Sequence, residues 1–212
     1  MIVITAKIEV VGTTAESGTS EILINRNNLT SFEGSIFDRS DIKMPYFGII
    51  SNGGTIVFRD KNGEVMSYAE QGLLNNGLSV TVKIENTIGH QNQTIATCKT
   101  RKWNYDTATR QVTVRFQDEL EEWQTVQVEG FGLQDEMTAY EMYTYLKGKT
   151  PEKFVFAPLD SSLNGLQTQL KNFTIKNTYL QSGNLWAQWN KLCVLCGLKI
   201  FQNGEGKIVV HR

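Results

Sequence analysis

Few side chains in this sequence are of the kind that acts in catalysis. The chain has two histidines: His90 lies in a loop rich in Gly, Gln and Asn, and His211 is next to the last residue. A histidine so close to a chain end is a poor general acid or base, because fraying spoils the geometry that proton transfer needs. Motifs for phosphate-binding loops, nucleophile elbows and His-Glu-x-x-His zinc helices do not occur in the sequence. We therefore predict no catalytic residue, no bound metal and no cofactor.

One Cys-x-x-Cys motif joins Cys193 to Cys196. A four-thiolate zinc site needs a second pair of cysteines, and a redox pair normally lies at an exposed helix start. Both thiols fall instead on the apolar side of a predicted helix, near its C-terminal end, so we expect small core residues. The chain has three cysteines, and this odd, sparse set indicates reduced thiols rather than a disulfide framework.

An acidic run, Asp118-Glu119-Leu120-Glu121-Glu122-Trp123, offers carboxylates for glycoside hydrolysis, with Trp123 as a sugar platform. Nothing in the sequence raises the pKa of one carboxyl above that of another, as this reaction requires. A solvated acidic face is the preferred interpretation. In an alternative interpretation, a wall-degrading hydrolase would take its carboxylates from Asp118, Glu119, Glu121 or Glu122.

A basic cluster at residues 99–105 (KTRKWNY) mixes cations with aromatic side chains, as surfaces that bind single-stranded nucleic acid do. The preferred interpretation is a strand with an exposed basic face. Because the acidic run lies on the partner side of the same predicted hairpin, the charges could pair across strands or between subunits.

Composition limits the class of protein. The 212 residues are 40% hydrophobic and 20% charged, enough for one large core or two modest ones. A net charge of −1 gives no strong overall attraction to nucleic acid or to an anionic membrane. Residues 1–7 lack a charged leader and no long apolar run occurs, so we expect synthesis in the cytosol and no membrane binding. The 16 Asn, 13 Gln and 21 Thr indicate polar, uncharged surfaces.

The first 130 residues have mainly the pattern of strands. Residues 2–10 and 78–85 alternate apolar with polar, which places one apolar row on a sheet face. Residues 21–24 continue the sheet, and a loop rich in Asn and Ser follows. We expect one hairpin with arms 54–59 and 64–68 around Asn62-Gly63. A second hairpin joins arms 95–103 and 111–117 through a turn at 106–109. Short strands without alternating long helices favour an antiparallel barrel or sandwich.

After Gly130 the apolar spacing becomes helical. Thr138-Ala-Tyr-Glu141 has the form of a capping box, and Gly148 is the expected end of that helix. A second helix is expected to start near Ser161 or Ser162. It would place three leucines on one face: Leu163, Leu166 and Leu170.

A third helix is expected from an Asn184 cap to Gly197. Three of its polar side chains should face solvent: Gln188, Asn190 and Lys191. A β-hairpin with its turn at residues 203–206 ends the chain. The sequence therefore predicts an α+β protein, with an antiparallel β-barrel or sandwich domain at residues 1–130. A small domain of helices with a C-terminal β-hairpin would occupy residues 131–212.

Two segments resemble a known family. Residues 51–65 (SNGGTIVFRDKNGEV), the Gly-rich bend at 72–77 and the strand from Leu78 resemble the tail hub proteins of tailed bacteriophages. The C-terminal helix with the sequence GNLWAQW from residue 183, the Gly197 cap and the turn at 203–207 are similar to the small domain that packs beside the hub barrel. Hub proteins are often longer and complete a second barrel after this domain, so another polypeptide would supply that part.

The resemblance implies a structural role in the virion tail, without enzyme activity. It implies a subunit of a ring, commonly trimeric, that joins the tail tube to the distal tip and lets DNA pass through its lumen. The implied partners are further copies of the chain, tail tube, hub and tip proteins, and DNA in transit. The protein would be made in the bacterial host cytoplasm. The alternative from another class is a carbohydrate-binding or adhesin module that uses Trp103, Tyr105 and Trp123.

Overall fold

The structure is a computed structural model that describes residues 2–11, 19–35, 47–86 and 91–212. The strands are β1 (Ile2–Val10), β2 (Ser20–Ile24), β3 (Leu29–Ser35), β4 (Gly48–Ile50), β5 (Gly53–Arg59), β6 (Ser79–Asn86), β7 (Gln91–Asp106), β8 (Gln111–Gln117), β9 (Gln127–Val128), β10 (Phe131–Thr138), β11 (Thr174–Leu180), β12 (Gly183–Asn184), β13 (Lys199–Gln202) and β14 (Ile208–His211). The helices are α1 (Glu64–Glu70), α2 (Ala139–Lys149), α3 (Leu166–Asn172) and α4 (Leu185–Cys196), and a 3-10 helix spans Glu119–Gln124. The predicted α+β class is confirmed.

The chain forms two compact units. The first comprises Met1–Asp38, Ser51–Glu119 and Asn203–Gly206, and the second comprises Arg39–Ile50, Leu120–Gln202 and Lys207–Arg212. The division of the sequence into domains 1–130 and 131–212 stays a prediction, because compactness does not establish which parts fold alone. Within the described residues, none of the helices combines the length and the apolar character that crossing a bilayer requires.

Seven strands of the first unit form one antiparallel sheet in the order β2-β1-β6-β7-β8-β5-β3. The two edge strands, β2 and β3, are consecutive in the chain and are joined by the turn at residues 25–28. In this turn the Leu29 backbone N–H donates to the Asn25 carbonyl (2.8 Å), and the Asn28 side chain donates to the Leu23 carbonyl (2.9 Å). Because so short a connection cannot span a flat seven-stranded sheet, the sheet curls until its edges approach each other.

The core of this unit lies on the inner face of the curled sheet. The predicted alternation is confirmed, since every second side chain of the central strands is buried, including Ile8, Val80, Ile56 and Val114. The predicted hairpin of β7 and β8 is also confirmed.

The predicted hairpin arm at residues 64–68 is wrong, because these residues form α1. The edges of β5 are already taken by β8 on one side and by β3 on the other, so no edge remains for a returning arm. The strand β3 was itself expected to be a loop. Gly63, with φ of 75°, turns the chain, and the buried Asp60 carboxylate accepts a hydrogen bond from the Met66 N–H in the first turn of α1 (3.0 Å).

The second unit packs α2, α3 and α4 around a core that includes Trp123, Met142, Leu146, Trp189 and Leu192. The predicted C-terminal hairpin is confirmed as β13 with β14, and β4 adds to β13 in parallel, which the sequence did not indicate. The ribbon of β10 and β11 was not predicted either.

The start of α2 is as predicted. Thr138 and Glu141 form the capping box, with the Thr138 N–H donating to Glu141 Oε2 (2.7 Å) and the Glu141 N–H donating to Thr138 Oγ1 (3.2 Å). The expected end at Gly148 is wrong, because the helix continues to Lys149 and is capped by Thr150. The next residue is Pro151, which disfavours a helical conformation at Thr150.

The second predicted helix begins later than expected. Helix α3 starts at Leu166, and Leu163 is 87% exposed rather than part of an apolar face. The preceding residues form a turn instead, since Asp160 accepts hydrogen bonds from Ser162 N–H through its side chain and from Gln167 N–H through its carbonyl, both at 2.9 Å.

Both ends of α4 are confirmed. The Asn184 side chain accepts from the Ala187 N–H (2.8 Å), and Gly197 has a left-handed φ of 67°. Its predicted outer face is wrong, because three polar side chains hold neighbouring segments. Gln188 is buried and donates to the Gln181 carbonyl (2.7 Å), Asn190 accepts from the Ile49 N–H (2.9 Å), and Lys191 donates to the Tyr179 carbonyl (2.6 Å).

Candidate functional site

The cysteine pair of α4 is part of the core, as expected. Cys193 and Cys196 are both buried. Burial raises the pKa of the Cys193 thiol, and it raises the pKa of Cys196 to about 11. Cys98 in β7 is buried as well, and burial raises its pKa. All three thiols are therefore protonated at neutral pH, which makes them poor nucleophiles and poor metal ligands.

The first residue of the acidic run acts as a clamp within the first unit. Asp118 follows β8, and its buried carboxylate accepts hydrogen bonds from Ser51 Oγ (2.7 Å) and from the Asn52 N–H. Its own N–H donates to the Asn52 carbonyl (2.8 Å). These bonds fix the entry to β5 against the end of β8. The geometry gives Asp118 a structural role and leaves no open carboxylate for substrate.

The rest of the run belongs to the 3-10 helix, where Trp123 is fully buried. Its ring stacks on Trp189 and meets Phe154 edge to face, with centroids 5.8 and 5.5 Å apart. The interpretation of Trp123 as a sugar platform is therefore wrong, because no ligand reaches a ring inside the core. Glu122 forms an ion pair with Lys153.

The aromatic side chains of residues 99–105 lie on the opposite face of β7 from Lys99 and Lys102, whereas Arg101, at a bulge in the strand, donates to the Asp118 carbonyl (3.3 Å). A bulge between Thr100 and Lys102 shifts the register, so Trp103 and Tyr105 stand opposite the buried Val114 and Val112. Trp103 Nε1 donates to the Asn75 carbonyl, and Tyr105 donates to Asp60, both at 3.3 Å. These rings pack against the barrel core and are half-buried, so they do not form an aromatic platform beside the cations.

On the outer face, Lys102 lies directly opposite Arg115 of β8. Both side chains are exposed, and within the described ranges neither makes an ion pair or a hydrogen bond with another residue. Lys99, two pairs along, donates to Ser79 Oγ (3.0 Å). We call Lys99, Lys102 and Arg115 the basic face. The sequence offered a signal for it, because counting back from the Asp106 and Gln111 pair at the turn brings Lys102 to Arg115.

A hollow of about 400 Å³ adjoins the basic face. It is lined by Gly53, Gly54 and Thr55 of β5 and by Arg115, Phe116 and Gln117 of β8. We call it the glycine hollow. Sequence analysis missed it, because it exists only where β5 lies beside β8.

The remaining candidates are the two histidines. His211 is half-buried at the end of β14, and His90 lies outside the described residues. The described ranges contain no group of His, Cys, Asp and Glu side chains that would hold a metal ion. The absence of catalytic residues, cofactors and metals stays a prediction.

Comparison with known proteins identifies the fold. No protein family model matches the chain, and no curated protein matches it. Among solved structures, the chain is similar to a tail protein from Neisseria meningitidis MC58, with 14% identity and a TM-score of 0.51 over 98% of this chain and 50% of that one. It also matches the 43 kDa tail protein of prophage MuSo2 from Shewanella oneidensis, with 12% identity and a TM-score of 0.45 over 100% of this chain and 56% of that one. The chain spans about half the length of these two proteins. It shares the fold of the Neisseria protein over that part.

Proposed function

We propose that this chain is a structural subunit of a bacteriophage tail, assembled into a hub ring that joins the tail tube to the distal tip. The observation that carries this proposal is the similarity of fold to the Neisseria tail protein over 98% of the chain. The resemblance of residues 51–65 and of the C-terminal helix and hairpin to hub proteins supports it independently at the level of sequence. The proposed partners are further copies of the chain and tail tube, hub and tip proteins.

The curled sheet of the first unit suits a ring subunit. Because β2 and β3 meet at the turn of residues 25–28, the sheet edges lie close together, which limits edge-to-edge aggregation. Contacts between subunits can then form through side chains on the outer face. A closed ring built head to tail needs two different, complementary surfaces on each subunit.

A lumen for DNA requires a surface that does not hold phosphates tightly. The neutral side chain of Thr81 on the outer face of β6 fits this requirement, whereas the outer face of β8 carries the exposed Arg115 and does not. Strand β6 is therefore the candidate lining of the proposed conduit.

The alternatives draw little support from the geometry. The carbohydrate-binding interpretation needs exposed aromatic rings, but Trp123 is buried in the core. Trp103 and Tyr105 are half-buried, and their polar atoms are hydrogen-bonded within the protein. The hydrolase interpretation cannot use Asp118, because its carboxylate is buried and accepts hydrogen bonds within the protein. A non-enzymatic structural role is the function that the fold supports best.

The test is the mass of the purified protein in solution, measured by light scattering after size-exclusion chromatography over a range of concentrations. The chain has a mass of 23.9 kDa, so a three-fold ring has a mass of about 72 kDa. We expect the larger mass. A monomer at all concentrations that binds immobilised glycans would overturn the proposal in favour of the binding module.

A further inference from the structure

We propose that the basic face and the glycine hollow form a docking surface for strand β10 of a second copy of this chain, which inserts Leu133 and Asp135. The inference rests on the proposed function, because it names the contact between subunits of the proposed ring.

Lys102 and Arg115 carry a positive charge that nothing in the described part of the chain balances by an ion pair. Side chains directly opposite each other on antiparallel strands have Cβ atoms about 4.5–5.5 Å apart, and like charges at that separation repel. The same sheet contains the reverse pair, Glu9 opposite Glu21 on β1 and β2, and there the chain supplies its own counter-charge. Lys7 Nζ lies 2.9 Å from a carboxylate oxygen of each glutamate.

No such counter-charge serves Lys102 and Arg115 among the described residues. A carboxylate placed between the ammonium and the guanidinium would turn their repulsion into two charge-assisted hydrogen bonds. The basic face is therefore suited to a carboxylate that comes from outside the subunit.

A hollow lies beside these charges. Arg115 is one of the residues that line the glycine hollow, whose open volume can take an aliphatic side chain beside Thr55 and Gln117. A matching partner would present an exposed apolar side chain next to a carboxylate.

Strand β10 presents that combination. Its residues 132–136 are all exposed, and Leu133 is 65% exposed, one of the large apolar side chains most open to solvent. Asp135 follows two residues later, about 7 Å along the strand, and makes no ion pair or hydrogen bond with another described residue. The adjacent Glu136 already has Lys176 at 3.9 Å. Leu133 would enter the hollow while Asp135 reaches Arg115 and Lys102.

A second copy fits this surface better than nucleic acid does. The aromatic rings of β7 face the opposite side from Lys102, so the basic face offers bases no stacking platform. The chain carries almost equal numbers of acidic and basic side chains, 22 and 21, so its net charge causes little repulsion between two copies. Because the two surfaces differ, the contact is heterologous, the kind that builds a ring when the rotation between neighbouring subunits closes. It would occupy the outer face of β8 and leave β6 to line the lumen.

The experiment uses charge reversal on the full-length chain. The double variant Lys102→Glu, Arg115→Glu and the single variant Asp135→Lys should each reduce the mass in solution from about 72 kDa to the 23.9 kDa of one chain. The triple variant that combines all three changes restores opposite charges and should restore the larger mass. Lys61→Glu, which reverses an exposed lysine elsewhere in the first unit, is the matched control and should leave the mass unchanged.

Restoration by the triple variant separates a lost contact from a fold that fails, since a misfolded double variant would not be rescued. If the wild type is oligomeric and none of these variants changes its mass, this inference is overturned and the proposed ring is not. A monomeric wild type would overturn this inference, and the proposed function would be overturned as well if that monomer binds immobilised glycans. Loss of binding to a labelled single-stranded oligonucleotide, with the mass unchanged, would assign the basic face to nucleic acid instead.

Discussion

The indole rings of Trp123 and Trp189 stack with their centroids 5.8 Å apart and their planes at 22°, yet their N–H groups differ. Trp189 Nε1 donates to Thr150 Oγ1 (3.2 Å), whereas Trp123 Nε1 has no hydrogen-bond partner in the described part of the chain. Both rings are fully buried. Because an unpaired buried N–H costs about 1–3 kcal/mol, the two tryptophans contribute unequally to the same core.

Phenylalanine at either position removes the N–H together with part of the ring. We expect Trp189→Phe to lower the free energy of unfolding by about 1 kcal/mol more than Trp123→Phe, because only the former breaks a hydrogen bond. Urea titration of both variants, followed by far-UV circular dichroism, measures the difference. Equal decreases in the free energy of unfolding would contradict the claim that only the Trp189 N–H contributes a hydrogen bond.

Gly54 is required where β3 approaches β5. A Cβ at this position would overlap the Glu33 carbonyl oxygen and lie 2.8 Å from Gly34 Cα, both of them backbone atoms. We expect Gly54→Ala to destabilise the protein by about 1–3 kcal/mol, the usual cost of overpacking. Gly132→Ala is the control, because its Cβ would meet nothing within 4 Å. Thermal unfolding that affects both variants equally would show that the close approach is unimportant.

The capping box of α2 makes stability depend on pH. A hydrogen bond from the Thr138 N–H holds the pKa of the Glu141 carboxyl below its ordinary value. The ionised form is the one that is bound, so its contribution is complete above the unfolded pKa of about 4.3 and is lost as the pH falls through the lower folded value. The stability difference between wild type and Glu141→Gln should be constant near neutrality and shrink in acid.

The Thr138 hydroxyl also contributes to the stability of this cap. We expect Thr138→Ala to cost about 1 kcal/mol at pH 7, because the Glu141 N–H then loses its acceptor. Denaturant titrations at pH 7 and pH 3 test both statements. If the difference in the free energy of unfolding between wild type and Glu141→Gln grows in acid, the expected pH dependence is contradicted.

The three thiols should be unreactive in the native protein. Burial raises the pKa of Cys98, Cys193 and Cys196, so little thiolate exists at pH 8, and the sulfur atoms are shielded as well. A colorimetric thiol reagent should label none of them in native protein and all three in denaturant. Rapid labelling of a native thiol would contradict their place in the core.

If β6 lines a conduit, a cation on its outer face should retard DNA. We expect Thr81→Lys in assembled particles to slow DNA ejection, since an added ammonium binds phosphate. Thr81→Ser keeps the neutral hydroxyl and should leave the ejection rate unchanged. Equal rates for the two variants would remove β6 from the lining.

Local patterns in the sequence predicted local structure well. The alternation of residues 2–10 places Ala6, Ile8 and Val10 in the core, and the caps at Asn184 and Gly197 delimit α4. These features depend on neighbours within a few residues, which the sequence displays directly.

The features that sequence reasoning missed depend on distant parts of the chain. Residues 64–68 have the apolar content of a strand, but β3 and β8 already occupy the edges of β5. Asn190 has the polarity of a solvent-facing residue, yet its side chain holds Ile49, far away in sequence. In the candidate site, the pairing of Lys102 with Arg115 follows from the hairpin turn, whereas the glycine hollow appears only when β5 joins β8.

The curled sheet also determines the order in which the protein can fold. β7 and β8 close across a turn of residues 107–110 within microseconds, whereas β1 must find β6 across a separation such as the 80 residues between Thr5 and Glu85. Bringing such distant segments together carries a large loop-closure entropy, which makes this pairing slow. The basic face lies on this hairpin, so we expect its three cations to be brought together before β1 pairs with β6.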